Sequence, residues 1–173
     1  MTIYWKYRPI VWLGIGLMVG VLLAGFCPRA PLHASATDRY DTFAIATGMV
    51  DDGVEAVYFL DFLTGDLKAA VLSKQIPPRF NAFYQRNILN DMGIDPTSNP
   101  RYLMVTGLND LRRGGSQLRP SVGVCYIAEI TTGRVAAYSI PWDAQSHASG
   151  QSVNGPILFL NMTQFRTAAV RER

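Results

Sequence analysis

Apolar and polar residues alternate in two separate stretches of the chain. The apolar positions are Ala56, Tyr58, Leu60 and Phe62 in the first stretch and Val124, Tyr126, Ala128 and Ile130 in the second. The positions between them are mixed, with Glu55 and Asp61 in the first and Glu129 and Thr131 in the second. A period of two with aromatic and β-branched residues is typical of half-buried strands. The pattern predicts that each apolar row faces a core.

Each stretch leads into a Thr-Gly pair, Thr64-Gly65 or Thr132-Gly133, and a second alternating run. Glycine adopts positive φ without steric cost, so each pair predicts a hairpin turn. Asp61 and Glu129 each stand four residues before the turn glycine. A carboxylate at that position is expected to accept hydrogen bonds from the amides of the turn.

The two stretches belong to an internal repeat. Residues 58–72 align with 126–140, and upstream 43–48 align with 102–107. The identities are few, but they fall at turn glycines and at alternating apolar positions, where a shared structure requires them. Each copy therefore predicts a strand, a loop and a hairpin.

A fourth strand is expected in each copy. In the first copy, residues 80–88 fit both strand alternation and helical spacing, and we favour a strand followed by a short helical turn at 89–93. In the second copy the strand covers 156–161. The repeats then span 42–100 and 101–165. Together they predict a mainly β fold for residues 42–173, a compact antiparallel β domain of about eight strands.

The N-terminal region predicts a membrane anchor. Residues 10–27 carry no charge, and as a helix they would reach roughly 27 Å, near the lower limit for crossing a membrane. Lys6 and Arg8 precede the span. The positive-inside rule then places residues 1–9 in the cytoplasm and the domain outside, in the periplasm of a Gram-negative-type cell. Residues 28–41 are expected to form a tether.

Other fates of this segment stay open. Ala34-Ser35-Ala36 has the small-x-small form of a signal-peptidase site, although Pro28 and Pro31 separate it from the apolar run. A lipoprotein is disfavoured because Phe26 intervenes between the small residues and Cys27. Gly16 and Gly20 have the spacing that lets two membrane helices pack closely, but glycine is also common in such spans.

The formal charge of +3 does not describe the domain. Three of the 16 basic residues precede residue 37, so 13 remain to balance the 13 acidic residues. A neutral domain does not fit electrostatic binding to nucleic acid. The two cysteines are too few for a disulfide framework, and Cys125 is expected to be a small buried residue.

The hairpin sequence, apolar-x-apolar-Asp-x-x-Thr-Gly followed by an alternating strand, resembles the blade repeats of quinoprotein-like β-propellers. The resemblance implies a hairpin and no cofactor. Because a propeller closes with four to eight blades, two propeller-blade-like repeats predict a small barrel or sandwich, or pairing with a partner. The layout of the chain also resembles uncharacterised single-pass envelope proteins of the planctomycete type, which implies no activity.

Candidate chemistry is sparse, and the sequence predicts no catalytic, cofactor-binding or metal-binding residue. His147 is the one histidine of the domain, near Asp143, Ser146 and Ser149. Residues so close in sequence rarely adopt triad geometry, and no G-x-S-x-G motif is present. The acidic run 51–55 is explained better by a tight turn than by a calcium loop.

The segment 107–120 contains Arg112, Arg113 and Arg119 beside Gly114-Gly115. Arginine suits bidentate recognition of anions, so this loop is the first choice for an anion or partner contact, against the alternative of a solvated loop. The sequence as a whole predicts a non-enzymatic binding or assembly module of the cell envelope, with a protein or polymer partner. The alternative is a small extracytoplasmic hydrolase that uses the His147 loop.

Overall fold

The computed structural model describes residues 12–19, 37–39, 41–109 and 119–166. The chain forms two compact units, Met1–Ala34 and Ser35–Arg173. In the first unit residues 12–19 form helix α1, where Gly16 has open space around it. Within the described residues no helix is both long and apolar enough to cross a membrane. Gly20 and the rest of the predicted span 10–27 lie outside those residues.

The second unit is mainly β, as predicted. Its strands are β1 (Thr37–Arg39), β2 (Phe43–Asp51), β3 (Val54–Asp61), β4 (Asp66–Leu72), β5 (Phe80–Asn87), β6 (Tyr102–Leu108), β7 (Arg119–Pro120), β8 (Gly123–Glu129), β9 (Arg134–Ser139), β10 (Pro141–Trp142), β11 (Val153–Pro156) and β12 (Leu158–Gln164). Its helices are α2 (Ile88–Met92) and α3 (Ala144–Ala148), with a 3₁₀ turn at Pro96–Ser98.

Each repeat forms a four-stranded antiparallel meander. Repeat one contributes β2, β3, β4 and β5 in that order, and repeat two contributes β6, β8, β9 and β12. Strand β1 extends the first sheet at β2, and β11 extends it at β5, so that sheet has six strands. The β5–β11 pair is parallel, in contrast to the antiparallel pairing predicted for the whole domain.

The fourth strands are only partly as predicted. Strand β5 is followed by α2, which confirms the strand and short helical turn expected there. The segment 156–161 was expected to form one strand but is divided at Ile157. The chain crosses there from one sheet to the other, and the buried Ile157 donates its amide to the carbonyl of Gln85 at 3.1 Å. Thr37–Arg39, at the end of the predicted tether, form β1.

The two hairpin turns have the same hydrogen bonds. Gly65 and Gly133 adopt φ values of 70° and 69°, which confirms the predicted turns. Asp61 accepts from the amides two and three residues ahead at 2.8 and 3.3 Å, and Glu129 does the same at 2.8 and 2.6 Å. The expected role of these two carboxylates is therefore confirmed, and the repeat is a repeat of structure.

The prediction that each apolar row faces the core is confirmed for repeat one and wrong for repeat two. The predicted row of repeat one is buried. In repeat two the residues of β8 in the core are Cys125 and Ile127, and Glu129 on the same side is buried as well. The predicted row is half-buried on the other side, except for Val124, which is buried. Alternation did not decide the orientation because both sides of β8 carry apolar residues.

Cys125 is the small buried residue expected from the sequence. Its side chain is free of any disulfide and fully buried between the sheets. Burial raises the pKa of its thiol to about 12. The thiol is therefore protonated at neutral pH and acts as an apolar packing group.

The repeats approach each other most closely along β2. A Cβ atom at Gly48 would lie 3.0 Å from the Thr106 methyl, and one at Gly123 would lie 1.8 Å from the Met49 carbonyl oxygen. Val122 donates its amide to the carbonyl of Val50 at 3.2 Å. Glycine at Gly123 is therefore required for β8 to reach β2.

Replacing Glu129 by glutamine should make stability less dependent on pH. Burial opposes ionisation of Glu129, but hydrogen bonds from Thr132 and Thr131 outweigh it and lower the pKa of its carboxyl. Below the ordinary glutamate pKa of about 4.3 the unfolded chain then binds more protons, so wild-type stability falls as pH drops towards the lowered folded pKa. The free energy of unfolding of Glu129→Gln should be about 1–3 kcal/mol below that of the wild type at neutral pH. It should also lack the decrease at acid pH that protonation of Glu129 causes in the wild type.

Urea unfolding at neutral and acid pH measures both effects. The matched control is Asp61→Asn in the equivalent turn, where the residue is only half-buried and the loss should be smaller. An equal loss for Glu129→Gln at both pH values would contradict the assignment.

Candidate functional site

The segment that contains His147 folds around the carboxylate of Asp143. Asp143 caps helix α3 by accepting from the amide of Gln145 at 3.0 Å and from the hydroxyl of Ser146 at 2.6 Å. The hydrogen bond from Ser146, followed by that from Gln145, lowers the pKa of this carboxyl. An aspartate that satisfies the first amides of a helix is a common N-cap, so the sequence Asp-Ala-Gln-Ser accounts for the helix locally.

His147 is buried at the C-terminal end of this short helix. Its side chain is 5% exposed, and its ring lies 4.7 Å from the ring of Trp142. Neither ring nitrogen has a hydrogen-bond partner among the described residues. Burial lowers the pKa of His147, and nearby Lys74 lowers it further against the opposing effect of Asp51. The imidazole is therefore neutral at neutral pH.

A cavity of about 330 Å³ lies beside His147. Its walls come from β5, β10, α3, β11 and the start of β12, and include Tyr84, Trp142, Val153 and Leu158. Burial raises the pKa of Tyr84, and the carboxylate of Asp143 adds to the effect. A mostly apolar cavity of this size with a few polar groups has the character of a small-ligand pocket.

The side chains around His147 do not form a triad. The Ser146 hydroxyl donates to Asp143, and the Ser149 hydroxyl donates to the carbonyl of Ser146 at 2.9 Å. No hydrogen bond joins the imidazole of His147 to any of them within the described residues. A general base needs to reach the nucleophile, and an orienting acid needs to reach the base. Asp143 and Ser146 are instead engaged in capping helix α3.

The structure covers one of the three candidate arginines. Arg119 is exposed on β7, next to Trp142 of β10, and lines a polar cavity of about 570 Å³ that also contacts Asp51 and Asp143. Arg112 and Arg113 lie outside the described residues. The structure therefore places Arg119 beside acidic groups, and the anion contact stays a prediction.

The acidic run 51–55 forms the turn between β2 and β3. Gly53 adopts a φ of 63°, and the carboxylate of Asp51 accepts from the amide of Asp52 at 2.9 Å. It also accepts from the indole of Trp142 at 3.0 Å. The predicted tight turn is confirmed. Across the described residues no cluster of three or more histidine, cysteine or acidic side chains is placed to hold a metal ion.

The outward side of the six-stranded sheet has an apolar centre, with Glu55, Asp61 and Lys68 on the same side. We call it outer face 1 and define it by Phe43, Ile45, Val57, Phe59, Ala70 and Phe83. Val57, Ala70 and Phe83 are cross-strand neighbours, and the rings of Phe43 and Phe59 stack at 5.1 Å. Phe83 is 46% exposed. A shallow groove of about 820 Å³ runs along this face.

The outward side of the four-stranded sheet is also apolar. We call it outer face 2 and define it by Leu103, Val105, Tyr126, Ala128, Val135 and Ala137. Val105 is opposite Tyr126, which in turn is opposite Ala137, and Val105 is 55% exposed. The sequence reasoning missed both outer faces. One signal in the sequence was that the side of β3 with Glu55 and Asp61 also carries the large apolar residues Val57 and Phe59. Their presence indicates a second apolar surface on that strand.

His147→Leu should remove a dependence of stability on pH. Because the pKa of His147 is lowered in the folded state, the unfolded chain binds more protons below the ordinary histidine pKa of about 6.5, and wild-type stability falls as pH drops through that window. Leucine does not titrate and leaves no unpartnered nitrogen, so it should be at least as stable at neutral pH. Urea unfolding at about pH 7.5 and about pH 5.5 measures the difference.

The control for this variant is His33→Leu, at the only other histidine of the chain, which should keep the wild-type slope. A wild-type protein with equal stability at both pH values would contradict the neutral, buried His147.

The candidate sites within the described residues are the His147 cavity, the polar cavity at Arg119 and the two outer faces. No protein-family model, curated protein or solved structure matches this chain.

Proposed function

We propose that this protein is a membrane-anchored extracytoplasmic β domain that acts as a non-enzymatic binding or assembly module of the cell envelope. The observation that supports it is the pair of apolar outer faces on a domain whose formal charges balance. Monomeric proteins rarely expose large contiguous apolar patches, and those that do commonly use them to bind a partner. Two such faces on one small domain favour contact surfaces over a single catalytic cleft.

Outer face 1 has the composition of a protein contact. Aromatic residues are enriched in the centres of protein interfaces and charged residues are depleted there. Phe43, Phe59 and Phe83 follow this trend, and Lys68 is the cross-strand neighbour of Phe59. The groove along the face is shallow and open, which suits a protein or polymer surface better than an enclosed small molecule.

The N-terminal region supports the proposed location at the membrane. Residues 10–27 are free of charge, and Lys6 and Arg8 precede them, which supports a single span with the domain outside the cytoplasm. Anchoring confines the domain to one surface, where even a weak contact is favoured by a raised effective concentration. The two four-stranded meanders support the proposal that the repeats are related to propeller blades.

Phe59→Glu should abolish partner binding and leave the fold intact. The full-length protein, extracted gently from its membrane, is expected to run with a native mass above one chain of 19.1 kDa. Glutamate at position 59 places a charge in the centre of outer face 1, while Lys68 across the strand can pair with it. The variant should therefore run as a single chain.

Leu63→Glu is the matched control, because Leu63 is 73% exposed in the turn after β3 and lies off both outer faces. It should keep the wild-type mass. A wild-type protein that runs as a bare single chain, with no other protein present, would remove the proposal.

The second candidate function is a small hydrolase, and the observation in its favour is the neutral, buried His147 beside a cavity. Ser146 is the nearest hydroxyl in sequence and is held by Asp143. If the site were catalytic, His147→Ala and Ser146→Ala would each lower turnover of an activated ester at least about 100-fold, the usual contribution of a general base. We expect no turnover that responds to either change.

A further inference from the structure

We infer that this chain assembles head to tail with copies of itself, with outer face 1 of one chain packed on outer face 2 of the next. The inference rests on the proposed function and names its partner, a second copy of the chain. It follows from the way in which the two repeats pack within the domain.

The two repeats meet through opposite sides of the repeated sheet. Ala44 and Ala46 of repeat one lie in the core, whereas the residues aligned with them, Leu103 and Val105, lie on outer face 2. Conversely, Met104 of repeat two lies in the core, and the residue aligned with it in repeat one lies on outer face 1. If the two sheets were related by two-fold symmetry, the same side of each repeat would face the other. Here opposite sides of the repeat meet, so the two sheets are stacked one behind the other in the same orientation.

The central strands show the same reversal. Leu60 lies in the core and its aligned partner Ala128 on outer face 2, while Ile127 lies in the core and its aligned partner Phe59 on outer face 1. Outer face 1 therefore carries the positions that repeat two buries, and outer face 2 carries those that repeat one buries. The contact that already exists between the repeats can be formed again between chains, from equivalent residues.

A local contact shows what the new interface would contain. Within the chain, Gly48 lies between the Thr106 methyl of repeat two and the ring of Tyr58, because a Cβ built on Gly48 would be 3.0 Å from the methyl and 3.1 Å from the ring. The equivalent pair in repeat two is Gly107 and Tyr126, again in contact, with 3.5 Å from a Cβ on Gly107 to the ring. This pair lies on the outer side of repeat two.

The residue aligned with Thr106 is Thr47, which lies on the outer side of repeat one, in the same cross-strand row as Val57. In a head-to-tail assembly this row, represented by Val57, would face the pair Gly107 and Tyr126 of the neighbouring chain. The contact is continuous with the repeat interface already inside the chain.

Such a contact is heterologous, and it generates a ring where the rotation between units closes. Sheets of four strands that are stacked in succession close into rings of four to eight. Since each chain supplies two, the expected assembly contains two to four chains. Closing the ring covers both outer faces of every chain, which a dimer of like faces would not do.

The experiment compares native masses of the full-length chain and two variants in mild detergent. Wild type is expected at two to four times the chain mass of 19.1 kDa. Phe59→Glu disables outer face 1, and Val105→Glu disables outer face 2, so each alone should shift to a single chain. A mixture of the two retains one intact contact and should form a complex with one copy of each variant and nothing larger.

Three results would overturn head-to-tail assembly. They are a wild type that runs as a single chain, a Val105→Glu variant that keeps the wild-type mass, and a mixture that forms no complex. Circular dichroism and the unfolding midpoint establish that each variant is folded, and Leu63→Glu is the control. If either variant does not fold, Phe83→Glu or Leu103→Glu repeats the test on the same face.

Failure of the inference is distinguishable from failure of the proposed function. A single wild-type chain that co-purifies with a different protein, and loses it on Phe59→Glu, removes self-assembly and keeps the binding module. A single wild-type chain with no partner at all removes both.

Discussion

Each repeat of this domain is a four-stranded sheet with apolar residues on both sides, and apolar surface is stabilised when it leaves water, by about 25 cal/mol per Å². The inner sides of the two sheets cover each other and make one core. This packing depends on close approach along β2, where Gly48 lies against Thr106 and Gly123 against the Met49 carbonyl. The outer sides expose further apolar residues, among them Phe83 and Val105, and the proposed function is argued from that exposed apolar surface.

The hairpin turns connect local chemistry to this packing. In both repeats a carboxylate accepts two amides of the turn and the turn glycine adopts positive φ, so each hairpin is specified by its own residues. The surroundings differ, because Asp61 is half-buried and Glu129 is buried. Burying a charge is costly unless it is hydrogen-bonded. The turn amides and Thr132 supply those bonds, so the same local motif permits repeat two to present the side with Glu129 to the core.

The crossing segment between the sheets creates the other candidate site. After β10 the chain forms α3, pairs in parallel with β5 as β11, and enters the second sheet at Ile157. This path places His147 against Trp142 and leaves the adjacent cavity. A buried neutral imidazole can bind or transfer a proton, but Asp143 and its neighbouring serines are engaged in capping the helix. The cavity is thus a result of the route of the chain between sheets.

Period-two alternation, the Thr-Gly turns and the aligned repeat were sufficient to predict the mainly β fold, both hairpins and the strand-to-helix passage at β5, because these features depend on neighbours in sequence. The same pattern did not determine which side of β8 faces the core, since Tyr126 and Ile127 are both apolar and only contact with repeat one distinguishes them. The burial of His147, the division at Ile157 and the two outer faces likewise depend on residues distant in sequence. Residues close in sequence specify the repeated sheets, whereas the choice of which sides meet depends on packing between the repeats, because burial is a property of what packs against a strand.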